Sequence, residues 1–216
     1  RLRYLVDDEG GSDAQEGIGL ALAALFGVLT EAEAASCLAA AVVEPAGVPC
    51  VYPTFERYAD RRGERFGRHS GTVWPHVQAM YAYACARAGL RRRWEYELFT
   101  LAEHAVRDGQ FVEVYHPKTG VPYGGAQERD GDVHAVWKSC ERQTWSATGF
   151  IGMILRCVIG LELENDSLSI APRLPGGVSR LCISGLSMRG KDVRISLSGP
   201  AGSDGPKRSI GNHQLD

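Results

Sequence analysis

The apolar pattern of this 216-residue chain changes its period once, at Gly160, and that change limits the folds open to it. Ahead of Gly160, apolar residues recur at helical spacing. Behind it they fall into short runs of strand length. Ser12 or Asp13 stands in capping position for a first helix carrying Gln15, Ile18, Leu22, Leu25 and Phe26, closed by Gly27. Thr30-Glu31-Ala32-Glu33 is a capping-box pattern that opens an alanine-rich second helix to about Val43. A third helix is predicted over 73–88, with Val77, Met80, Tyr81 and Ala84 on one face and Gly89 as its stop. A fourth covers 92–107 through Leu98, Leu101, Ala102 and Ala105, and a fifth covers 144–159 through Trp145, Phe150, Ile154 and Val158.

Two long connections, 44–70 and 124–143, interrupt the helices, and loops of that length in a compact domain usually carry function. After Gly160, the segments 161–164, 168–171, 181–186 and 193–197 read as strands separated by Asn-Asp, Pro-Gly-Gly and Arg-Gly turns. The expected fold is therefore mainly α. Residues 1–160 form helical hairpins, 161–199 a small antiparallel β appendage, and 200–216, rich in Gly, Ser and Asp, a disordered tail. Hairpins joined alternately by short turns and long loops indicate a partial (α/α)6 toroid, with the long loops gathered at one end.

Composition removes several classes of function. Hydrophobic residues make up 44% and charged residues 23%, as in a soluble globular chain, and the formal net charge is −2. That charge gives no electrostatic case for nucleic acid or an anionic membrane as partner. The apolar run within 19–27 is far too short to span a bilayer. The chain starts at Arg1, which reads as if a segment is missing upstream. None of Cys37, Cys50, Cys85, Cys140, Cys157 and Cys182 pairs as C-x-x-C, and several sit in helical patterns, which favours a reducing, cytoplasmic setting. His69, His76, His104, His116 and His134 show no metal-ligand spacing, so neither a metal nor another cofactor is expected.

Chemistry concentrates in three segments. In 109–125 a lone carboxylate, Glu113, stands among Phe111, Val112, Val114, Tyr115 and His116, and Pro117, Gly120, Pro122 and the Gly124-Gly125 pair turn the backbone sharply. A carboxylate fixed beside aromatic rings suits a catalytic acid or base, although a surface turn explains it as well. The second segment is Gly67-Arg68-His69-Ser70-Gly71-Thr72-Val73-Trp74-Pro75, and the third is Arg142-Gln143-Thr144-Trp145-Ser146-Ala147. With helices alternating in direction, all three fall at one end and converge on one pocket. Pyranose rings offer faces for tryptophan and tyrosine, and hydroxyls for arginine, histidine, glutamine and carboxylate. Carbohydrate is the expected substrate.

Gly71-Thr72-Val73-Trp74-Pro75, then Phe111-Val112-Glu113-Val114-Tyr115-His116-Pro117-Lys118-Thr119-Gly120, then Gln143-Thr144-Trp145-Ser146-Ala147-Thr148, resemble in kind and order the C-terminal half of (α/α)6-barrel glycoside hydrolases. The likeness is to the group holding mannosylglycerate hydrolase, family 63 α-glucosidases and amylo-α-1,6-glucosidase-like proteins, and it spans about residues 15–199. It implies inverting hydrolysis of an α-linked glycoside with Glu113 as general base. Trp74, Tyr115, His116, Gln143, Trp145, Arg68, His69 and Glu16 would then contact the sugar. The resemblance departs at the general acid, an upstream aspartate in a Trp-Asp-type motif. Asp7, Asp8, Asp13 and Glu16 do not match it. Five helices do not close a ring of twelve, so a missing N-terminal barrel half or self-association is expected to complete it. Two other readings stay open. One is a carbohydrate-binding, catalytically incomplete relative. The other is a sugar epimerase or isomerase using a pair among His69, His116 and His134.

Overall fold

A computed structural model of the chain describes residues 6–7, 10–129, 132–163, 167–188, 190–206 and 208–211. Five α-helices and several small antiparallel sheets are present among them, a mixed rather than mainly helical fold. The chain divides into two compact units, Arg1–Ile151 and Gly152–Asp216. The division falls inside the fifth helix, earlier than the expected break at Gly160. Beyond it the backbone widens into a π turn, Ile154–Val158. There Val158 and Gly160 carbonyls accept the Arg173 and Ala171 N–H groups at 2.7 and 3.0 Å, which ties the helix end to the strands that follow.

In the first unit, β1 (Val6–Asp7) pairs with β2 (Gly10–Gly11), and β3 (Gln15–Glu16) leads into α1 (Gly17–Leu25). The cap of α1 is Glu16, not Ser12 or Asp13. Its carboxylate accepts Ile18 N–H at 3.2 Å and the Gly19 N–H, because residues 15–16 are held extended against β4 (Val51–Tyr52). A short turn leads to α2 (Glu31–Ala40), which carries the expected capping box of Thr30 and Glu33. It stops before Val43, since the Gln15 amide takes both the N–H and the carbonyl of Val42, at 2.7 and 3.0 Å.

Helix α3 (Pro75–Arg87) starts two residues later than predicted, because Val73 exchanges both backbone bonds with Tyr115 at 2.8 and 3.0 Å. Pro75 at its first position has no N–H to leave unpaired. Helix α4 (Arg91–Asp108) ends at Gly109. The second long connection contains a hairpin that its polar sequence did not announce, β5 (Ala126–Arg129) with β6 (Asp132–Val136). Helix α5 (Thr144–Met153) follows.

The core of this unit surrounds α3, where Val77, Tyr81, Ala82, Ala84 and Cys85 pack with Leu38, Val48, Trp94, Leu98 and Leu101, all buried. Tyr81 Oη donates to the Leu38 carbonyl at 2.8 Å, and Arg93 bonds the carbonyls of Ala39 and Ala41 at the end of α2, where a cation meets the helix dipole. Helices α1 and α3 run in the same direction, with Gly17 beside Val77 at one end and Arg87 bonded to the Leu25 carbonyl at the other. Helix α4 runs against α3, since Arg93 meets Tyr81 while Glu97 meets Gln78. Trp145 and Gly149 of α5 lie beside the first turns of α3. The starts of α3 and α5 therefore share one end, and the Glu113 loop reaches it through the Val73–Tyr115 pairing.

The second unit holds a three-stranded sheet in the order β11 (Arg208–Gly211), β8 (Ser167–Ile170), β7 (Leu161–Leu163), and a hairpin of β9 (Arg180–Met188) with β10 (Lys191–Ser198). The tail expected to be disordered supplies β11. Its pairing with β8 is a contact between distant parts of the chain, and the composition of 200–216 carries no sign of it. Residues 212–216 lie outside the described residues.

Candidate active site

Glu113 is almost wholly buried, 3% exposed, and two long connections fix it. Its own N–H donates to the Cys140 carbonyl at 2.9 Å, and the Cys140 N–H returns a 3.3 Å bond to Oε2. Next door, the Val114 N–H donates to Ser139 Oγ at 3.0 Å. Oε1 accepts Arg68 Nη2 at 2.6 Å, a charge-assisted contact in a largely dry setting. Arg68 also donates through Nη1 to the Gly124 carbonyl at 3.1 Å, and its guanidinium lies 5.2 Å from the centre of the Trp74 ring. The arginine thus joins loop, carboxylate and aromatic wall.

Trp74 is buried and oriented by its Nε1–H, which donates to the Arg68 carbonyl at 2.8 Å and to Thr72 Oγ1 at 3.1 Å. His69 stacks on it at 4.6 Å and 14°. His76 meets its edge at 5.6 Å, and Trp145, 44% exposed, lies 6.2 Å away and 5.9 Å from His76. Burial and the Arg68 cation push His69 below the usual histidine value, and Glu113 opposes them. Burial, followed by His69, does the same to His76. Both imidazoles are therefore neutral at neutral pH. The Glu113 charge pushes the Cys140 thiol up, so it is not a ready thiolate.

Gln143 sits at the start of α5, its N–H on the Phe111 carbonyl at 2.8 Å and its Oε1 accepting the Thr144 N–H at 3.1 Å. Arg142 just before it adopts a left-handed φ of 52°, and its N–H donates to Gln110 Oε1 at 3.0 Å. The turn into α5 is thereby anchored to the residues that precede Glu113. Arg68, His69, Trp74 and Trp145 join Glu113 in one cluster, as the sequence suggested, with Gln143 tied to it through the backbone.

Tyr115, His116 and Glu16 do not take the expected places. Tyr115 is fully buried against His104 at 4.6 Å, and burial pushes its hydroxyl up to about 12. His116 is wedged between Phe66 and Tyr123 at 5.0 and 5.1 Å, with Nε2 on the Glu64 carbonyl at 3.0 Å and Nδ1 accepting the Thr119 N–H. Both rings pin the loop from below. Glu16 caps α1, where burial raises its carboxyl and its charge acts on Cys50. His69 and His116 thus belong to different packing clusters. The side chains of Asp7 and His134, and all of Asp8, lie outside the described residues, while Asp13 is exposed.

Cys140 and Ser139 were not legible as site residues in the sequence, and Thr72 was legible only as part of its motif. They act through backbone groups or a single hydroxyl, and nothing in their local sequence signals that. Among the described residues no three His, Cys, Asp or Glu side chains are placed to hold a metal ion, and no helix is long and apolar enough to cross a membrane. A cavity of about 650 Å³ lies in the second unit, lined by Leu168, Ile170, Leu174, Val193 and Ile195 among others. Its lining is mostly apolar and lacks the carboxylate and aromatic rings gathered at Glu113.

A scan of the sequence against protein-family models finds no match, and a search of curated proteins finds no significant relative.

Proposed function

We propose that the chain is the C-terminal part of a glycoside hydrolase that cleaves an α-linked glycoside with inversion, its alternating helices belonging to an (α/α)6 toroid and Glu113 serving as general base. The observation that carries this reading is how the carboxylate is held. Arg68 occupies Oε1 at 2.6 Å, and Oε2 accepts a 3.3 Å bond from the Cys140 N–H. A carboxylate oxygen has room for further donors, so Oε2 can take the proton of an attacking water. Trp145 offers an open face for a pyranose, and neutral His69 can donate or accept at a hydroxyl. Inverting hydrolysis needs a second carboxyl group about 6.5–9.5 Å from the first. The reading assigns that acid to the other half of such a barrel.

The test is the anomeric form of the product. With the barrel completed, proton NMR of α-glucoside or α-mannoside hydrolysis should show the β-anomer first, and Glu113→Gln should slow turnover roughly 10²–10⁴-fold. Turnover unchanged by that substitution would sink the assignment. A second reading, carbohydrate binding without catalysis, is favoured by the closeness of the Arg68 pair, which neutralises a carboxylate only 3% exposed. Saccharide binding with no release of reducing sugar would select it.

A further inference from the structure

Resting on the reading of the Glu113 cluster as a saccharide site, we infer that Trp137 forms a second stacking subsite and that the ligand is an α-linked oligosaccharide of two or more rings. The chain has four tryptophans. Trp94 is 1% and Trp74 4% exposed, so both are spent inside the fold. Trp145 and Trp137, at 44% and 52%, keep large apolar faces accessible to a stacking ring.

Trp137 is exposed on a firmly held backbone. It directly follows β6, and its N–H donates to the Gly125 carbonyl at 2.9 Å. Its own carbonyl oxygen approaches to 2.2 Å from where a Cβ on Gly124 would stand, so the crossing exists only because Gly124 has no side chain. The Gly124 carbonyl is the one that Arg68 Nη1 holds at 3.1 Å. Two and three residues further on, Ser139 and Cys140 clamp Val114 and Glu113. The main chain bearing Trp137 is thus part of the same bonded frame as the carboxylate, and little ordering remains to be done on binding.

Among the described residues Trp137 shares no ring contact with Trp74 or Trp145, so the two exposed indoles are separate platforms. One pyranose covers one indole face. Two platforms on one frame need two rings, and binding energy from the second ring can be used at the reacting centre.

The test uses the whole chain labelled with 5-fluorotryptophan, its four ¹⁹F signals assigned by single Trp→Phe substitutions. Maltotriose and α-mannotriose are titrated against methyl α-glucoside and methyl α-mannoside. The one-ring glycosides should move the Trp145 signal alone, and a trisaccharide should move Trp145 and Trp137 together. Trp137→Ala should weaken trisaccharide binding roughly three- to tenfold and leave one-ring binding unchanged. A trisaccharide that moves Trp145 but not Trp137 would overturn the second subsite and leave the proposed function standing. If no saccharide moves any signal, both fall.

Discussion

Arg68 does more at this site than any other single side chain, because one guanidinium serves a carboxylate, a carbonyl and an indole at once. Its side chain is 18% exposed and that of Glu113 is 4%, so water screens the pair only in part. Arg68→Met leaves a buried anion without its cation and should destabilise the protein by about 3 kcal/mol in urea unfolding. A loss below about 0.5 kcal/mol would mean that the pair behaves as an exposed one. Gly125 is the backbone counterpart of that arginine. Its φ is 80°, and a Cβ there would lie 2.4 Å from the Arg68 Cα. Gly125→Ala should therefore cost roughly 3 kcal/mol and blunt any saccharide response at Trp145, as read by tryptophan fluorescence.

Among the elements, α4 buries Glu97 in the core and packs His104 against Tyr115 of the glutamate loop. Glu97 is fully buried, and its two oxygens accept the Val48 N–H at 3.1 and 3.2 Å. Burial is the largest influence and pushes its carboxyl from 4.5 up to about 8. The Val48 N–H and the Gln78 side-chain amide oppose that burial without cancelling it. The folded state here binds more protons than the unfolded one between pH 4.5 and about 8, so stability from this group is present below that window and is lost as pH rises through it. Glu97→Gln should remove that slope and make the protein more stable than the parent above pH 8. An unaltered alkaline limb in denaturation curves taken from pH 5 to 9 would refute it. His69, His76 and His104 act in the opposite sense. Burial lowers all three from 6.5, the folded state binds fewer protons, and stability falls as pH drops below about 6.5.

At the scale of the whole molecule, the apolar surface left open is the main feature. Helix α1 is apolar along its entire length, yet only Gly17, Leu20 and Ala21 are buried, and Phe26 just beyond it is 78% exposed. Val106 at 83%, Ile151 at 55% and Leu163 at 75% add to it. A helix apolar all round is ordinarily buried all round. The chain should therefore associate with rising concentration and bind a hydrophobic dye, and Leu22→Gln with Phe26→Ser should reduce both. A chain monomeric by sedimentation at high micromolar concentration with no dye signal would contradict this.

The sequence by itself determined the helices and several of their ends. The Thr30–Glu33 box at the start of α2, and Gly27 and Gly89 just past the ends of α1 and α3, are signals between near neighbours, and a helix is built from near neighbours. Glu113, Arg68, Trp74 and Trp145 were also legible as candidates, because charge and aromatic rings are unusual in turns. Only the tertiary structure decided how they are joined. Arg68 and Glu113 lie 45 positions apart, and Glu113 and Cys140 lie 27 apart. The partner of a backbone N–H or carbonyl is chosen by what packing brings beside it, and every residue offers the same two groups. For the same reason β11, the β5–β6 hairpin and the true cap of α1 could not be read in advance, and Tyr115 and His116, which look like ligands in the sequence, turn out to be the packing that holds the glutamate loop in place.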